Sequence, residues 1–264
     1  MPIDEVWSAI RGKTSAAELI FLRKCFRAYS SKAHLENVKH DLMILKRMSR
    51  PPKKVLDFGC GIGLQSYMLA EQGYTVHGLE AVDDKSLDGF LKGKAAPHIK
   101  TRDDSMKSVW DIIRKRADVE FRFYDGKVIP YDRGYFDLVV AYAVIEHIPF
   151  EEVGGIISEV GRVLKRQGLL YIFQLPQRTS YTEFIARKLG LESHEFLWDY
   201  KRIFKLLARK GLDVIYHEKV DMLINHPYKI VNPLYPLLKK ADGLLIHTPL
   251  SYFAHHLTVV AKKS

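Results

Sequence analysis

Three glycines spaced two residues apart follow a short apolar run that contains an acid. The run is Val-Leu-Asp-Phe at residues 55–58, and the glycines are Gly59, Gly61 and Gly63. Glycine is needed where the main chain takes conformations that a Cβ would bar, or where a ligand approaches the backbone closely. A strand, a glycine turn and a helix starting at Leu64 therefore predict a ligand-binding corner, whose helix start offers N–H groups to an anionic part of the ligand.

The residue types separate two kinds of ligand for this turn. A dinucleotide site has the pattern G-x-G-x-x-G, but the sixth position counted from Gly59 is Leu64. The carboxylate of Asp57, just before the turn, would repel a pyrophosphate. A ligand with both an ammonium and a carboxylate fits better, with the ammonium toward Asp57 and the carboxylate toward the N–H groups of the turn.

Two further acids lie where the next strands are predicted to end. Glu80 follows Asp57 at about the separation that a βαβ unit sets between acids of its first and second strands. A carboxylate there can accept hydrogen bonds from both hydroxyls of a ribose. The pair Asp125-Gly126 follows the run Phe-Arg-Phe-Tyr at 121–124. Turn chemistry alone is an alternative explanation of that pair.

These stretches together resemble the motifs of the class I S-adenosylmethionine-dependent methyltransferases. The resemblance rests on residues 55–63, on Glu80, on residues 121–126 with Ile129-Pro130-Tyr131, and on Tyr135-Phe136-Asp137 before an apolar strand. It implies that S-adenosyl-L-methionine is the cofactor, that Asp125 accepts from the adenine amine, and that the main chain near Ala141 faces the methionine end. The implied cofactor-binding residues are Asp57, Gly59, Gly61, Gly63, Glu80, Asp125, Gly126 and Ala141.

The stretch after the apolar strand that follows Asp137 gives information about the methyl acceptor. Residues 141–149 read Ala-Tyr-Ala-Val-Ile-Glu-His-Ile-Pro and lack the Asn/Asp/Ser-Pro-Pro-aromatic run of enzymes that methylate nucleobase amines or glutamine amides. The Glu-His-Ile ending resembles the branch that methylates small molecules, including quinone, sugar and lipid-linked acceptors. The resemblance therefore implies a small organic acceptor, methylated on oxygen.

Methyl transfer from a sulfonium depends mainly on aligning the acceptor with the methyl group, and a hydroxyl acceptor also needs a base. His147 is the candidate catalytic base, because the ordinary pKa of histidine lies near neutrality. A hydrogen-bonding brace is the alternative role for His147. His194 and Tyr142 are weaker candidates, and Tyr29 and His34 are candidates to face the acceptor from the N-terminal helices.

Composition limits the class of protein. The chain of 264 residues is long enough for one α/β core with additions. Its two cysteines, Cys25 and Cys60, show no metal or redox spacing, so we predict no metal and a reducing, cytoplasmic location. No apolar run approaches the roughly 18 residues of a membrane span.

The net charge of +10 is concentrated in the two flanks. Residues 1–50 hold ten Lys/Arg against five Asp/Glu, and residues 221–264 hold five against two. A solvated charged face is the simplest explanation, and nucleic acid is not favoured as a partner. An RNA or protein methyltransferase is the alternative function that uses these flanks. A cofactor-binding module without catalysis is the remaining alternative.

The predicted fold is α/β, with a doubly wound, seven-stranded, mostly parallel Rossmann-like sheet and an antiparallel last strand. We divide the chain into an N-terminal helical cap at 1–50, a methyltransferase core at 51–219, an insertion or lid at 220–254, and the last strand of the core at 255–264. The prolines and apolar residues of 220–254 suit an acceptor pocket, an amphipathic patch on a membrane surface, or ordinary packing. The acceptor is expected to be apolar or anionic.

Overall fold

The computed structural model describes residues 2–11, 22–23, 25–27, 29–82, 102–191, 193–223 and 228–264. Seven strands lie within these ranges: β1 Lys54–Phe58, β2 Thr75–Ala81, β3 Val119–Tyr124, β4 Phe136–Tyr142, β5 Leu164–Pro176, β6 Leu212–Val220 and β7 His256–Lys263. They form one sheet in the order β3-β2-β1-β4-β5-β7-β6. Strands β1, β2 and β3 pair in parallel, as do β4 and β5, whereas β7 runs antiparallel to both β5 and β6. The predicted fold class is confirmed.

The helices of the described ranges include α1 Pro2–Arg11, α2 Lys32–Met48, α3 Leu64–Ala70, α4 Arg102–Arg114, α5 Phe150–Val163, α6 Tyr181–Lys188, α7 Tyr200–Arg209 and α8 Tyr228–Leu245. Short 3-10 helices span Ile145–His147 and Pro249–Phe253. The pair Ser30-Ser31 predicts a break or cap between two N-terminal helices, and Ser31 does cap α2 by accepting a hydrogen bond from the N–H of His34. None of the described helices is long and apolar enough to cross a membrane.

The chain forms two compact units, residues 1–126 and residues 127–264. The first contains α1 to α4 with β1, β2 and β3, and the second contains the remaining strands and helices. Strands β1 and β4 are buried along most of their length, because a parallel strand covered on both faces has no solvent side. The four-part division proposed from the sequence stays a prediction.

Apolar periodicity in the sequence predicts helices over 103–117, 151–165 and 196–210 and a fifth strand over 169–174, and several of these boundaries differ in the structure. The helix expected over 151–165 ends at Val163, and β5 begins at Leu164 rather than Leu169. The helix expected over 196–210 begins at Tyr200, because the Asp199 carboxylate accepts from the N–H of Lys201 and caps it there. The expected helix over 103–117 spans Arg102–Arg114. Helix caps and strand pairing determine where these helices and strands begin and end. The periodicity of apolar residues does not show those positions.

The proline-rich segment 220–254 contains an 18-residue helix that its sequence does not suggest. Helix α8 spans Tyr228–Leu245 and includes Pro233 and Pro236. Each proline removes a main-chain N–H and disfavours a helix interior by about 3 kcal/mol. Both prolines lie on exposed positions of the helix.

Candidate functional site

The glycine turn of the first unit is folded back over the end of β2. The N–H groups of Gly59 and Cys60 both donate to the carbonyl oxygen of Leu79, at 2.8 and 3.1 Å. The N–H of Gly63 donates to the carbonyl of Cys60 at 2.9 Å. These main-chain bonds fix the shape of the turn, and they occupy N–H groups that the sequence analysis offered to a ligand.

Two of the three glycines in the turn are required for different reasons. Gly61 has φ +52°, and a Cβ built there would meet no described atom within 4 Å. Gly63 has φ +82°, and its Cβ would lie 2.6 Å from Cζ of Phe121. Gly63 is therefore needed for packing against β3. At Gly61 the main chain faces open space, which suits close approach by a ligand.

Glu80 lies beside this turn at the carboxyl end of β2. Its Oε2 accepts from the N–H of Gly61 at 2.7 Å, and its Oε1 accepts from Nη2 of Arg102 at 2.9 Å. Arg102 is the first residue of α4, so the helix start supplies a cation to the acid. The Glu80 carboxylate is thus held at the turn through both of its oxygens, each of which has further acceptor capacity.

Asp57 lies within β1 and is 1% exposed. Its Oδ2 accepts from Oγ of Ser66 on α3 at 2.5 Å, which ties the strand to the helix across the turn. Burial raises the pKa of Asp57 to about 7; the Ser66 hydrogen bond opposes that rise, and the charge of Glu80 adds to it. A cationic group near Asp57 would favour the ionised carboxylate.

Trp110 on α4 contacts the glycine turn and holds its main chain in place. Its indole Nε1 donates to the carbonyl of Gly61 at 2.9 Å. Its ring stacks on Phe121, with centroids 4.9 Å apart and planes 6° from parallel, and it contacts Phe123 at 4.4 Å. Phe121 also fills the space in front of Gly63. Trp110 therefore positions the main chain of Gly61, a role that the sequence analysis did not assign.

Two tyrosines lie within electrostatic reach of these acids. The pKa of Tyr29 is raised by burial and then by the charge of Asp57, and Glu80 also contributes. The pKa of Tyr124 is likewise raised by burial, then by Glu80 and Asp125. Tyr29 thus brings the N-terminal segment to the acids of the turn, and its ring meets that of His34 edge-on at 4.6 Å.

Asp125 and Gly126 directly follow β3. Asp125 is exposed, and Gly126 has φ +79°. The parallel register pairs Phe58 with Leu79, and Glu80 with Phe123, so the carboxyl ends of β1, β2 and β3 lie side by side. The structure therefore places Asp57, the glycines, Glu80 and Asp125 along one edge of the first unit. Their contacts to a cofactor stay predictions.

In the second unit, β4 ends in a strained turn. Ala141 is buried within β4, and Ala143 has φ +51°, the left-handed region that disfavours residues with a Cβ. The N–H of Ala143 donates to the carbonyl of Phe173 at 3.1 Å. This bend leads into the 3-10 helix Ile145–His147. Strained residues of this kind are frequent at functional sites.

His147 and Glu146 point into different environments. His147 is exposed, and its ring lies 6.3 Å from that of His194. Glu146 is 1% exposed, and neither carboxylate oxygen has a hydrogen-bond partner in the described part of the chain. Burial raises the pKa of Glu146 to about 7, and the dipole of its own main-chain N–H and the charge of His194 oppose that rise.

His194 belongs to a histidine–acid cluster. Its Nδ1 lies 2.6 Å from Oε1 of Glu183, and Nε2 of His255 lies 2.9 Å from the same oxygen. His256 stacks on His255 with centroids 3.8 Å apart, and its Nδ1 lies 2.7 Å from Oδ2 of Asp221. Of this cluster, only His194 is a candidate from the sequence; the adjacent histidines His255 and His256, where β7 begins, are the signal for the rest.

An apolar pocket of about 230 Å³ lies elsewhere in the second unit. Its lining residues are Tyr181, Met222, Leu223, Leu245, Leu250 and Phe253. The hydroxyl of Tyr181 donates to the carbonyl of Met222 at 2.8 Å. Residues from the predicted insertion at 220–254 thus form most of this wall.

Comparison with known proteins agrees with this architecture. Residues 56–172 match the model of the methyltransferase domain family. A ubiquinone biosynthesis O-methyltransferase of Bartonella tribocorum is 26% identical over 175 residues, and the match covers 61% of this chain and 61% of that protein. The chain therefore aligns with less than two thirds of that relative.

Two solved structures share the fold at low identity. The 1,6-didemethyltoxoflavin-N1-methyltransferase of Burkholderia thailandensis, solved with S-adenosylhomocysteine, has a TM-score of 0.53 and 16% identity, over 86% of this chain and 78% of that one. The phosphoethanolamine N-methyltransferase 2 of Haemonchus contortus, in complex with S-adenosyl-L-methionine, has a TM-score of 0.55 and 17% identity. That match covers 85% of this chain and 52% of that one.

The sheet order, with its antiparallel β7 and the glycine turn after β1, defines a Rossmann-like methyltransferase fold. Residues 56–172 are therefore a methyltransferase domain, and S-adenosyl-L-methionine is the methyl donor of this class of enzyme.

Proposed function

We propose that the protein transfers the methyl group of S-adenosyl-L-methionine to an oxygen of a small organic acceptor. The observation that carries the proposal is the bond between the Gly61 N–H and Glu80 Oε2, which joins the glycine turn to an acid at the end of β2. A ribose bound there would meet a carboxylate with remaining acceptor capacity, next to main chain that has no Cβ. Charge-assisted hydrogen bonds of this kind are about twice as strong as neutral ones.

The remaining groups of the first unit suit the other parts of the cofactor. Asp57 suits the methionine ammonium or the sulfonium, because its carboxyl is buried and gains from a cation. Asp125 suits the adenine amine, because it follows β3 in register with the end of β2. The main chain at Gly59, Gly63 and Gly126 completes the part of the proposed cofactor site that belongs to the first unit.

The acceptor assignment rests on the second unit and on one relative. His147 is exposed at the end of the 3-10 helix and is the proposed base for a hydroxyl. The relative from Bartonella tribocorum is named as an O-methyltransferase of ubiquinone biosynthesis. The apolar pocket at Tyr181 and Phe253 suits an acceptor with an apolar part. A quinone, sugar or lipid-linked hydroxyl is the proposed class.

Calorimetric titration with S-adenosylhomocysteine tests the cofactor, with NADH as the control ligand. We expect micromolar binding of S-adenosylhomocysteine alone. A screen of hydroxyl acceptors with labelled S-adenosylmethionine then tests the reaction, and the label should appear in the acceptor. Binding of both ligands, or of neither, would overturn the cofactor site. Binding without transfer to any acceptor would favour a cofactor-binding module.

A peripheral membrane contact is a second element of the proposal. Helix α8 exposes Leu234, Leu237 and Leu244 on one side, since three- and seven-residue spacings fall on one face of a helix. Lys239 and Lys240 are exposed on the same helix. An apolar face beside lysines is typical of helices that lie on anionic lipid surfaces. A lipid-linked acceptor would be reached from such a surface.

Sedimentation with vesicles tests this contact. We expect binding to vesicles that contain phosphatidylglycerol, and loss of binding when Leu234, Leu237 and Leu244 are all replaced by Ser. The control is Ile215→Ser, which removes an exposed apolar side chain of β6. Equal sedimentation of the triple variant and the control would reject α8 as the contact. A cytoplasmic location, which suits cysteines outside disulfides such as Cys25 and Cys60, is part of the same proposal.

A further inference from the structure

The cluster of Glu183, His194 and His255 has the composition of a metal site. The three side chains offer one carboxylate oxygen and two imidazole nitrogens, and these ligand atoms all lie within 4.8 Å of one another. Two histidines and one acid are the ligand set of zinc sites that keep an open position for water or substrate. No class I motif in the sequence analysis assigned a role to Glu183 or His255.

Main-chain bonds hold each of the three residues in place. Glu183 lies in the first turn of α6, where Ser180 caps the helix by accepting from its N–H. His194 follows that helix, and its own N–H donates to Oε2 of Glu183 at 3.0 Å. The N–H of His255 donates to the carbonyl of Asp221 at 2.9 Å, just before β7. Helix α6, the loop after it and the start of β7 are thus held in place around the carboxylate of Glu183.

The arrangement of the ring nitrogens around one carboxylate oxygen suits a bound divalent cation. Both Nδ1 of His194 and Nε2 of His255 point at the same oxygen of Glu183. One carboxylate needs only one histidine partner to be neutralised, and a second protonated imidazole would repel the first. A divalent cation between the three atoms would use both nitrogens in their neutral form and would satisfy the buried acid.

The surroundings of the cluster resemble those of a supported metal site. His256 stacks on His255 and is itself held by Asp221, so the ligand ring cannot turn freely. The side chains of His194 and His255 are 30% and 18% exposed, whereas that of Glu183 is 5% exposed. Outer groups that fix ligand rings are a regular part of such sites. The partial exposure gives an entry path for an ion.

We propose that Glu183, His194 and His255 bind a divalent cation of the zinc type, with one coordination position left for an oxygen of a ligand. Buried Glu146, whose carboxylate has no hydrogen-bond partner within the described residues, is the nearby acid available to such a ligand. Insofar as the ligand is the methyl acceptor, the inference rests on the proposed function. A ligand hydroxyl bound to the cation would have a lower pKa and would therefore lose its proton to water more readily. The resulting oxygen anion would remain bound to the cation.

The metal-binding test uses the full chain after dialysis against a chelator. Zn²⁺ is titrated by calorimetry, and Co²⁺ is followed by its visible absorption, which is intense only in four- or five-coordinate sites. We expect one ion per chain, and at least tenfold weaker binding for His194→Ala and for His255→Ala. His217→Ala is the matched control, because His217 is an exposed histidine of the same unit on β6. Its affinity should equal that of the wild type.

Three results would overturn the proposal: no zinc binding by the wild type, equal affinity in the wild type and both histidine variants, or a cobalt spectrum identical to that of the hydrated ion. Circular dichroism checks that each variant is folded, and Glu183→Gln provides a further variant that keeps the size of the side chain. Titration with S-adenosylhomocysteine is measured separately on the same samples. Loss of zinc with retained cofactor binding isolates this site from the cofactor proposal.

Discussion

The main-chain N–H of Gly61 donates a 2.7 Å hydrogen bond to Oε2 of Glu80, while Arg102 donates to the other oxygen of that acid. The glycine turn and the acid of β2 are therefore one bonded unit before any ligand arrives. A site held in place in this way loses little entropy when it binds. Its two residues are also open to separate tests.

Replacing Glu80 by Ala should weaken the binding of S-adenosylhomocysteine at least tenfold. The change removes up to two charge-assisted hydrogen bonds to the ribose, each of about 1.5–3 kcal/mol, and about 1.4 kcal/mol is a tenfold change in affinity. Calorimetric titration measures the dissociation constant. Glu120→Ala is the control, because Glu120 is an acid of the neighbouring β3 that pairs with Arg122. An unchanged dissociation constant in Glu80→Ala would remove the ribose assignment.

Gly61→Val should abolish cofactor binding in a protein that stays folded. A Cβ at Gly61 meets no described atom within 4 Å, so the cost to folding is the strain at φ +52°, about 1–2 kcal/mol. The matched variant Gly63→Ala should instead lower the free energy of unfolding, because its Cβ would overlap Phe121. Urea unfolding and calorimetry separate the two effects. Wild-type affinity in Gly61→Val would contradict close approach of the cofactor.

The affinity for S-adenosylhomocysteine should rise with pH up to about pH 7 and then level off. Burial raises the pKa of Asp57 to about 7, so the carboxyl of the unliganded protein is largely protonated below that value. A bound ammonium favours the ionised form, lowers the pKa and releases a proton, which makes binding tighter as pH rises.

Titrations at about pH 6 and about pH 8, in buffers of different ionisation enthalpy, count the released protons. Asp57→Asn should bind with little pH dependence, because Asn can still accept from Ser66 but cannot ionise. A wild-type affinity that is flat or that falls between these pH values would place the ligand's cation away from Asp57.

Trp110→Phe should reduce both stability and cofactor affinity. The change leaves the carbonyl of Gly61 without its indole donor, which costs about 1–3 kcal/mol in addition to the lost packing. Trp198→Phe is the control, since the indole nitrogen of Trp198 is buried and has no hydrogen-bond partner in the described ranges. Urea unfolding compares the two. If Trp198→Phe is the more destabilised variant, the indole bond to Gly61 contributes little.

His147→Ala should lower turnover while leaving the affinity for S-adenosylhomocysteine nearly unchanged. His147 is exposed and belongs to the second unit, whereas the proposed ribose and ammonium contacts belong to the first. Loss of a general base typically costs about 100- to 10,000-fold in rate. Turnover is measured with the acceptor that the screen identifies. Turnover equal to that of the wild type would make His147 a brace.

Local sequence was sufficient for the glycine turn and the acids around it. Asp57, Gly59, Gly61 and Gly63 occupy alternate positions of one short stretch whose conformation is set by short-range sterics, so their pattern is visible without the fold. The alternation of apolar strands with amphipathic helices, followed by the final antiparallel pair, also predicted the seven-stranded sheet. Each of these features depends on contacts between residues close in sequence or on a regular period.

The tertiary structure decided which distant residues meet. Arg102 and Trp110 reach the turn from a helix some 40 positions along the chain, and no local pattern marks their role. Glu183, His194 and His255 come together only because α6, the following loop and the start of β7 converge. Sequence by itself fixes periodicity and turn chemistry, because these are local. Contacts between a helix, a loop and a strand depend on how the whole chain packs, and only the folded structure determines them.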